Sequence, residues 1–547
     1  MTKDPSSRPV AAWRWHVGLA LGFTALALAM TWPLGSPMAR VVPDMDDAFF
    51  SIWRLSWVAH QLVHQPTALF DANIFYPARH TLAYSDAMLL VGLAGAPFLW
   101  AGVPPAVVHN GLLIAALASS AWAMAILAHR LTGDLAAAIL AGVIFGFAPY
   151  RFAHIAHLEL QWLLWMPLAM LALHALVERP RLAAGLALGA CLAAQLLCSI
   201  YYGVFLALFA GLAWMALVVA TGVRPGLLAA TAAAAVPLAL VAVPYLAPYA
   251  ASRSAHGPRS ASEVADYSAT PADYLRVPGF NALRGRDDDG LALEERALYP
   301  GLAALGLAIV GLWRPRNRTP WVYAALALVA FDASLGVHGL TFRVLQVVAP
   351  PLGNLRAPAR FAALGLVAFA GLAAFGVAAV RNPRARAGVA ALAVALCVVE
   401  FWSRPLPLRD ARLAPMAVDR WLAALPEDTV ILELPVPRLQ RLWFYEPWHQ
   451  VRSIHHWRHL LNGYSGFLPT AYGNTLADLE TFPDARSVAR LGRLSVDYVI
   501  VRRSNFDDRT YARVTAALLA TPGFGPPLVV GAGRDEAAVY PLLAAGS

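Results

Sequence analysis

At 547 residues, with 59% hydrophobic and 14% charged residues and a formal net charge of +9, the chain is too apolar for an ordinary soluble globule. Its mean hydropathy is +0.56, and many of its stretches are long enough to cross about 30 Å of hydrocarbon. The arginines fall largely in short loops between apolar runs, so the positive charge reports membrane orientation and not a nucleic-acid partner. Cys191, Cys198 and Cys397 lie in apolar segments, which indicates neither a disulfide framework nor a thiolate metal cluster.

The first apolar run, residues 15–34, follows Lys3, Arg8 and Arg14 and exceeds a signal-peptide core, so it reads as an uncleaved first span with the N-terminus cytoplasmic. Further runs at 107–128, 135–149, 160–177, 183–200, 203–221, 226–246, 299–313, 320–337, 360–380 and 387–403 bring the expected number of spans to about eleven. Segment 86–102 is apolar but short and carries an internal Gly-Ala-Pro. Counting it as non-spanning puts His129-Arg130, Arg179, Arg181, Arg224, RPRNR at 314–318 and RNPRAR at 381–386 on the cytoplasmic side. It is therefore expected to be a juxtamembrane or re-entrant helix, with everything after residue 404 external.

On the external side, VPDMDDAFFSIWRLSWVAHQ at 41–60 sets Asp44, Asp46 and Asp47 before a helical pattern in which Phe49, Ile52, Trp53, Trp57 and Val58 recur. That pattern predicts an amphipathic helix over 48–64 lying in the membrane interface. After residue 404 the composition changes. The helical MAVDRWLAAL and the strand-like TVILELPVP and VDYVIVRR predict a small α/β domain over 405–547.

DDAFF at 46–50 after the first span, two juxtamembrane helices and a basic cytoplasmic turn after the next span together resemble the first module of GT-C glycosyltransferases, polytopic enzymes that use polyprenyl-phosphate sugars. DMDDAFFSIW, NIFYP and APYRF are similar to a branch of bacterial membrane proteins with a GT-C-like core. The resemblance implies a polytopic α-helical GT-C-like membrane domain over 1–404, with external loop 35–106 carrying the acidic motif, and an external or periplasmic domain over 405–547. It implies a location in the bacterial cytoplasmic membrane. It further implies transfer of a sugar from a polyprenyl-phosphate donor to an envelope glycan, lipid or protein acceptor.

Such a transfer needs a general base for the acceptor hydroxyl and cations for the departing phosphate. Asp46 matches the position of the family's catalytic acid, Asp47 beside it tunes or replaces it, and Asp44 is expected to be solvated; the competing reading is that these acids cap the helix. Arg151, His154, Arg356 and Arg360 are the candidates for the lipid phosphate, against snorkelling at helix ends. Tyr76, His455, His456, Trp457, Asn462 and Tyr464 are the candidate acceptor or sugar contacts, since aromatic faces stack on sugars while His and Asn supply hydrogen bonds. Alternatively these residues dock the domain onto membrane lipid. His455 and His459 have i,i+4 spacing but no third ligand, so no cofactor is expected. A divalent cation is left open, and Asp287, Asp288 and Asp289 read as a solvated run. A non-catalytic relative in envelope polymer assembly is the alternative function. A transporter ranks below both, because no internal repeat is visible.

Overall fold

A computed structural model describes residues 8–253, 260–285, 295–315, 317–348, 356–403, 405–437 and 443–543. The run Asp287 to Asp289 lies outside the described residues. The chain forms two compact units, one built from Met1–Pro37, Asn110–Pro244 and Pro258–Pro407, the other from Met38–His109, Tyr245–Gly257 and Leu408–Ser547.

Each of the eleven apolar runs yields a helix, from Arg8–Met30 to Pro383–Phe401. Among the described residues, six helical segments are long and apolar enough to cross a membrane: Pro105–Thr132, Leu135–Ala153, Leu158–Glu178, Ile200–Thr221, Leu227–Ser252 and Pro358–Ala379. The chain is a multi-pass membrane protein. Segment 86–102 contributes the helix Leu89–Trp100, whose 12 residues reach about 18 Å, well short of the hydrocarbon thickness. With no hydrophobic drive between helices in lipid, close packing decides association. Helices Leu302–Trp313 and Ala362–Ala379 approach so closely that a Cβ at Gly376 would sit 1.9 Å from the Leu307 carbonyl oxygen.

In the second unit, strands β1 (Val41–Val42) and β2 (Arg409–Asp410) pair antiparallel. The remaining strands, β3 (Val430–Leu434), β4 (His459–Leu460), β5 (Tyr498–Arg502), β6 (Leu528–Val530) and β7 (Ala537–Pro541), form one mixed sheet ordered β4-β3-β5-β7-β6. β3 is parallel to both β4 and β5, while β7 is antiparallel to β5 and β6. β3 is buried throughout, as its run of Val, Ile and Leu requires, yet it carries Glu433. Arg502 on neighbouring β5 answers it with a two-pronged bond, Nε to Oε2 at 2.7 Å and Nη2 to Oε1 at 2.6 Å. Burial alone would raise the Glu433 carboxyl, but Arg502 and His449 hold it far below the carboxylate range.

Two expectations need correction. Loop 35–106, expected as part of the membrane domain, falls largely within Met38–His109, which clusters with Leu408–Ser547 in one compact unit. The amphipathic helix expected over 48–64 begins at Asp46 and, with no polar face left open along its middle, is buried from Ala48 to Ala59, packed against Leu89–Trp100 and against the helix Tyr445–Arg452. Of the polar residues interspersed in the pattern, His64 is exposed at the helix end, while Arg54 is buried and bonded internally. Arg54 donates to the Asp86 carbonyl at 2.8 Å and to Ser51 Oγ at 2.9 Å, with its guanidinium 4.1 Å from the Phe50 ring centre.

Candidate active site

Helix Asp46–His64 begins where Asp44 Oδ2 accepts the backbone N–H groups of Asp46 and Asp47, both at 3.2 Å. Asp44, expected to be solvated, is thus the capping acid, and it satisfies two of the donors that a helix start leaves open. Asp46 and Asp47 are relieved of that duty. Asp46 makes no side-chain hydrogen bond or ion pair among the described residues, and its carboxyl is pushed up to about 6, first by burial and then by the charges of Asp44 and Asp47. A carboxylate with that affinity holds or releases a proton near neutrality, which is the property a general base needs.

Asp47 Oδ1 accepts a hydrogen bond from the Tyr464 hydroxyl at 3.2 Å. Burial and the neighbouring Asp47, Asp46 and Asp44 push the Tyr464 phenol well above its usual range, so the proton stays on oxygen and Tyr464 is the donor. Its ring meets Phe50 edge to face at 5.4 Å, and its backbone N–H donates to Gln450 Oε1 at 2.8 Å.

The motif NIFYP explains how the second unit is tied together. Leu460 N–H donates to Asn73 O at 2.7 Å, Tyr76 N–H to Leu460 O at 3.0 Å and Phe75 N–H to Asn462 O at 3.0 Å, so residues 73–76 cover the β4 edge of the sheet. The Asn73 side chain bridges further. It accepts from Trp53 Nε1 at 3.3 Å and donates to Ser453 Oγ at 3.1 Å and Arg458 O at 3.0 Å. Gly463 has to be glycine here, because a Cβ would lie 2.7 Å from the Phe75 ring.

Of the six expected acceptor or sugar contacts, Tyr464 alone makes a described hydrogen bond to an acid of the motif. Asn462 is spent inside the fold: its Oδ1 accepts from Glu433 N–H at 2.7 Å, and its Nδ2 donates to Glu433 O and Glu446 Oε1, each at 3.1 Å. His456 is 3% exposed, its Nδ1 accepts from Arg458 N–H, and burial lowers its imidazole to about 3. His455 Nε2 donates to Leu413 O at 2.6 Å. The i,i+4 pair does not share a helix face, because His455 ends a 3-10 turn and His459 opens β4. Trp457 stacks on His60 at 4.6 Å. Tyr76 lies 5.1 Å from the His459 ring and packs on the core of the sheet.

The expected phosphate ligands lie in the first unit, where they meet a residue that the sequence reading passed over. Glu295 binds Arg360 through both prongs, Nε to Oε2 at 3.1 Å and a short Nη2 to Oε1 contact, and its Oε2 is 2.8 Å from His154 Nε2. Burial would raise the Glu295 carboxyl, but Arg360 and His154 hold it well below its usual range. The signal was available, since cations buried at span ends demand a counter-charge from a nearby loop. Arg151 is fully buried, with Nε on Gln161 Oε1 at 2.9 Å and Nη2 on Gln161 O at 2.6 Å, while its Nη1 has no hydrogen-bond partner among the described residues. Arg356 is partly exposed and pairs with Glu263 at 3.5 Å.

The fold of this polytopic membrane protein is similar to the GT-C fold of solved membrane glycosyltransferases. The arabinofuranosyltransferase AftD from Mycobacteria is similar with a TM-score of 0.60 and 16% identity over 98% of this chain and 40% of that one. A mutant form of AftD gives 0.63 and 17%, over 97% and 42%. ArnT from Cupriavidus metallidurans in the apo state gives 0.39 and 13%, over 97% and 98%. The chain spans about two fifths of the length of the AftD structures it matches. No family model and no curated protein matches it. Since one fold hosts many functions, the chemistry must be argued from the chain's own residues.

Proposed function

We propose that the chain is a membrane glycosyltransferase that moves a sugar from a polyprenyl-phosphate donor to an envelope glycan, lipid or protein acceptor at the outer face of a bacterial cytoplasmic membrane. The observation that carries this reading is Asp46: a half-buried acid in the first turn of a helix, relieved of capping by Asp44, with no ion pair among the described residues and a proton affinity near 6. In the reaction, Asp46 takes the proton of an acceptor hydroxyl as that oxygen bonds to the anomeric carbon, and the bond from that carbon to the lipid phosphate breaks with its electron pair on the phosphate. The phosphate needs a cation. The candidates expected from the sequence, Arg151, His154, Arg356 and Arg360, all lie in the first unit, where Glu295 engages Arg360 and His154, Arg356 pairs with Glu263, and Arg151 Nη1 has no hydrogen-bond partner among the described residues.

The test is transfer by purified protein in proteoliposomes, with a panel of undecaprenyl-phosphate pentoses and hexoses carrying radiolabelled sugar. Asp46→Asn keeps the size of the side chain but cannot take the proton, so turnover should fall by about two to four orders of magnitude. Full turnover in that variant rejects the reading. The orientation rests on the loop charges, and cysteine labelling from outside should reach positions in 405–547 and miss 314–318.

The occupied Arg360 fork favours a second reading, a non-catalytic GT-C-like protein of envelope polymer assembly. In that case no member of the donor panel is consumed.

A further inference from the structure

We propose that Tyr464 is a positioning residue for the carboxylate pair, fixing Asp47 so that Asp46 is the acid left to exchange a proton; this rests on the reading of Asp46 as general base. The two acids are adjacent in sequence but held differently. Asp47 is gripped at Oδ1 by the Tyr464 hydroxyl at 3.2 Å, whereas Asp46 has no side-chain partner among the described residues.

Tyr464 is itself restrained at three points. Its ring packs edge-on against Phe50 at 5.4 Å, one helical turn beyond the acids and on their side of the helix. Its N–H is bound to Gln450 Oε1 at 2.8 Å, and Gln450 is fully buried. The preceding Gly463 N–H donates to the buried Glu446 carboxylate at 2.6 Å. A hydroxyl delivered so rigidly selects one orientation of Asp47 and offsets part of its charge. Asp47 then repels the ionised form of Asp46 less than a bare carboxylate would.

Among the described residues, the titratable groups on the packed elements have partners of their own, Arg54 on the Asp86 carbonyl and Tyr445 on the Asn505 carbonyl among them. Asp44 and Tyr464 face the acid pair. On the packed helix Tyr445–Arg452, Glu446 turns to Asn462 and Gly463, His449 to Glu433 and Arg452 to Asp419. His455 in the following turn binds Leu413 O, and the packed helix Leu89–Trp100 carries no titratable side chain.

The test is Tyr464→Phe, which keeps the ring and removes the donor. The midpoint of Asp46 titration is read without any transfer assay, as the pH dependence of the melting-temperature difference between proteins carrying Asp46 and Asp46→Asn. In Tyr464→Phe that midpoint should rise by about half a unit to one unit, as expected when a neighbouring carboxylate loses a hydrogen-bond donor. In transfer assays kcat should fall about tenfold with KM unchanged, and the loss should disappear in an Asp47→Asn background because the two residues act as one unit. An unmoved midpoint, or losses that simply add in the double variant, overturns the proposal. If Tyr464→Phe does not fold, Gln450→Leu, which loosens the Tyr464 backbone, must shift the midpoint in the same direction or the proposal fails. The midpoint is independent of turnover, so an active Asp46→Asn protein overturns the base assignment separately.

Discussion

The Tyr464 hydroxyl rests on the Asp47 carboxylate at 3.2 Å although 417 residues separate them. The contact joins the start of the acidic helix to the NGYSG turn after β4, and it makes the two halves of the acid pair unequal. The consequences can be measured.

Asp46 should tax stability above pH 6. Its carboxyl is raised to about 6 in the fold from an ordinary 3.8, so between those values the folded protein binds more protons than the unfolded chain, and stability falls as pH rises. The favourable contribution is complete below pH 3.8 and gone above about 6. Asp46→Asn removes this dependence. Its melting temperature relative to wild type should climb between pH 4 and 6 and level off above that. A helix-capping role predicts the opposite sign, a variant less stable than wild type at pH 7.

Transfer should have an acid limb. With the base titrating at about 6, kcat/KM should drop toward tenfold per unit as pH falls below that value. A pH profile flat from 5 to 7 would exclude Asp46 as the group whose ionisation limits the rate.

Asp44→Ala should cost about 1 kcal/mol, the usual worth of a side-chain cap, because the Asp46 and Asp47 N–H groups lose their acceptor. Denaturation of the detergent-solubilised protein at pH 7 measures this. A loss below a few tenths would mean that water replaces the cap.

Glu295→Gln should be far more damaging, by about 3–5 kcal/mol, since it strands the buried Arg360 guanidinium. Pairing it with Arg360→Met removes the orphaned charge, so the double variant should regain much of that loss. Additive losses in a double-mutant cycle would show that the two residues contribute independently.

Gly463→Ala should cost about 1–3 kcal/mol, because its methyl would meet the Phe75 ring at 2.7 Å. Relief by Phe75→Leu in the same chain would identify that clash as the cause.

Sequence by itself determined what depends on local physics. Each of the eleven apolar runs became a helix, because length and hydropathy decide whether a segment satisfies its backbone in lipid. The acidic helix start and the strand character of 430–434 and 498–502 were legible for the same reason, as was the shortness of segment 86–102. The tertiary structure decided the partners. Arg54 suggested a polar face on an amphipathic helix, yet it lies in a helix buried from Ala48 to Ala59. Asn462 looked like a ligand contact and instead joins Glu433 to Glu446. Arg360 looked like a phosphate fork until Glu295 occupied it. A charged or polar side chain shows in sequence only that it needs a counterpart; which group supplies it is set by packing between distant segments, because the energy of an unpaired buried group is avoided by whichever partner the fold brings within about 3 Å.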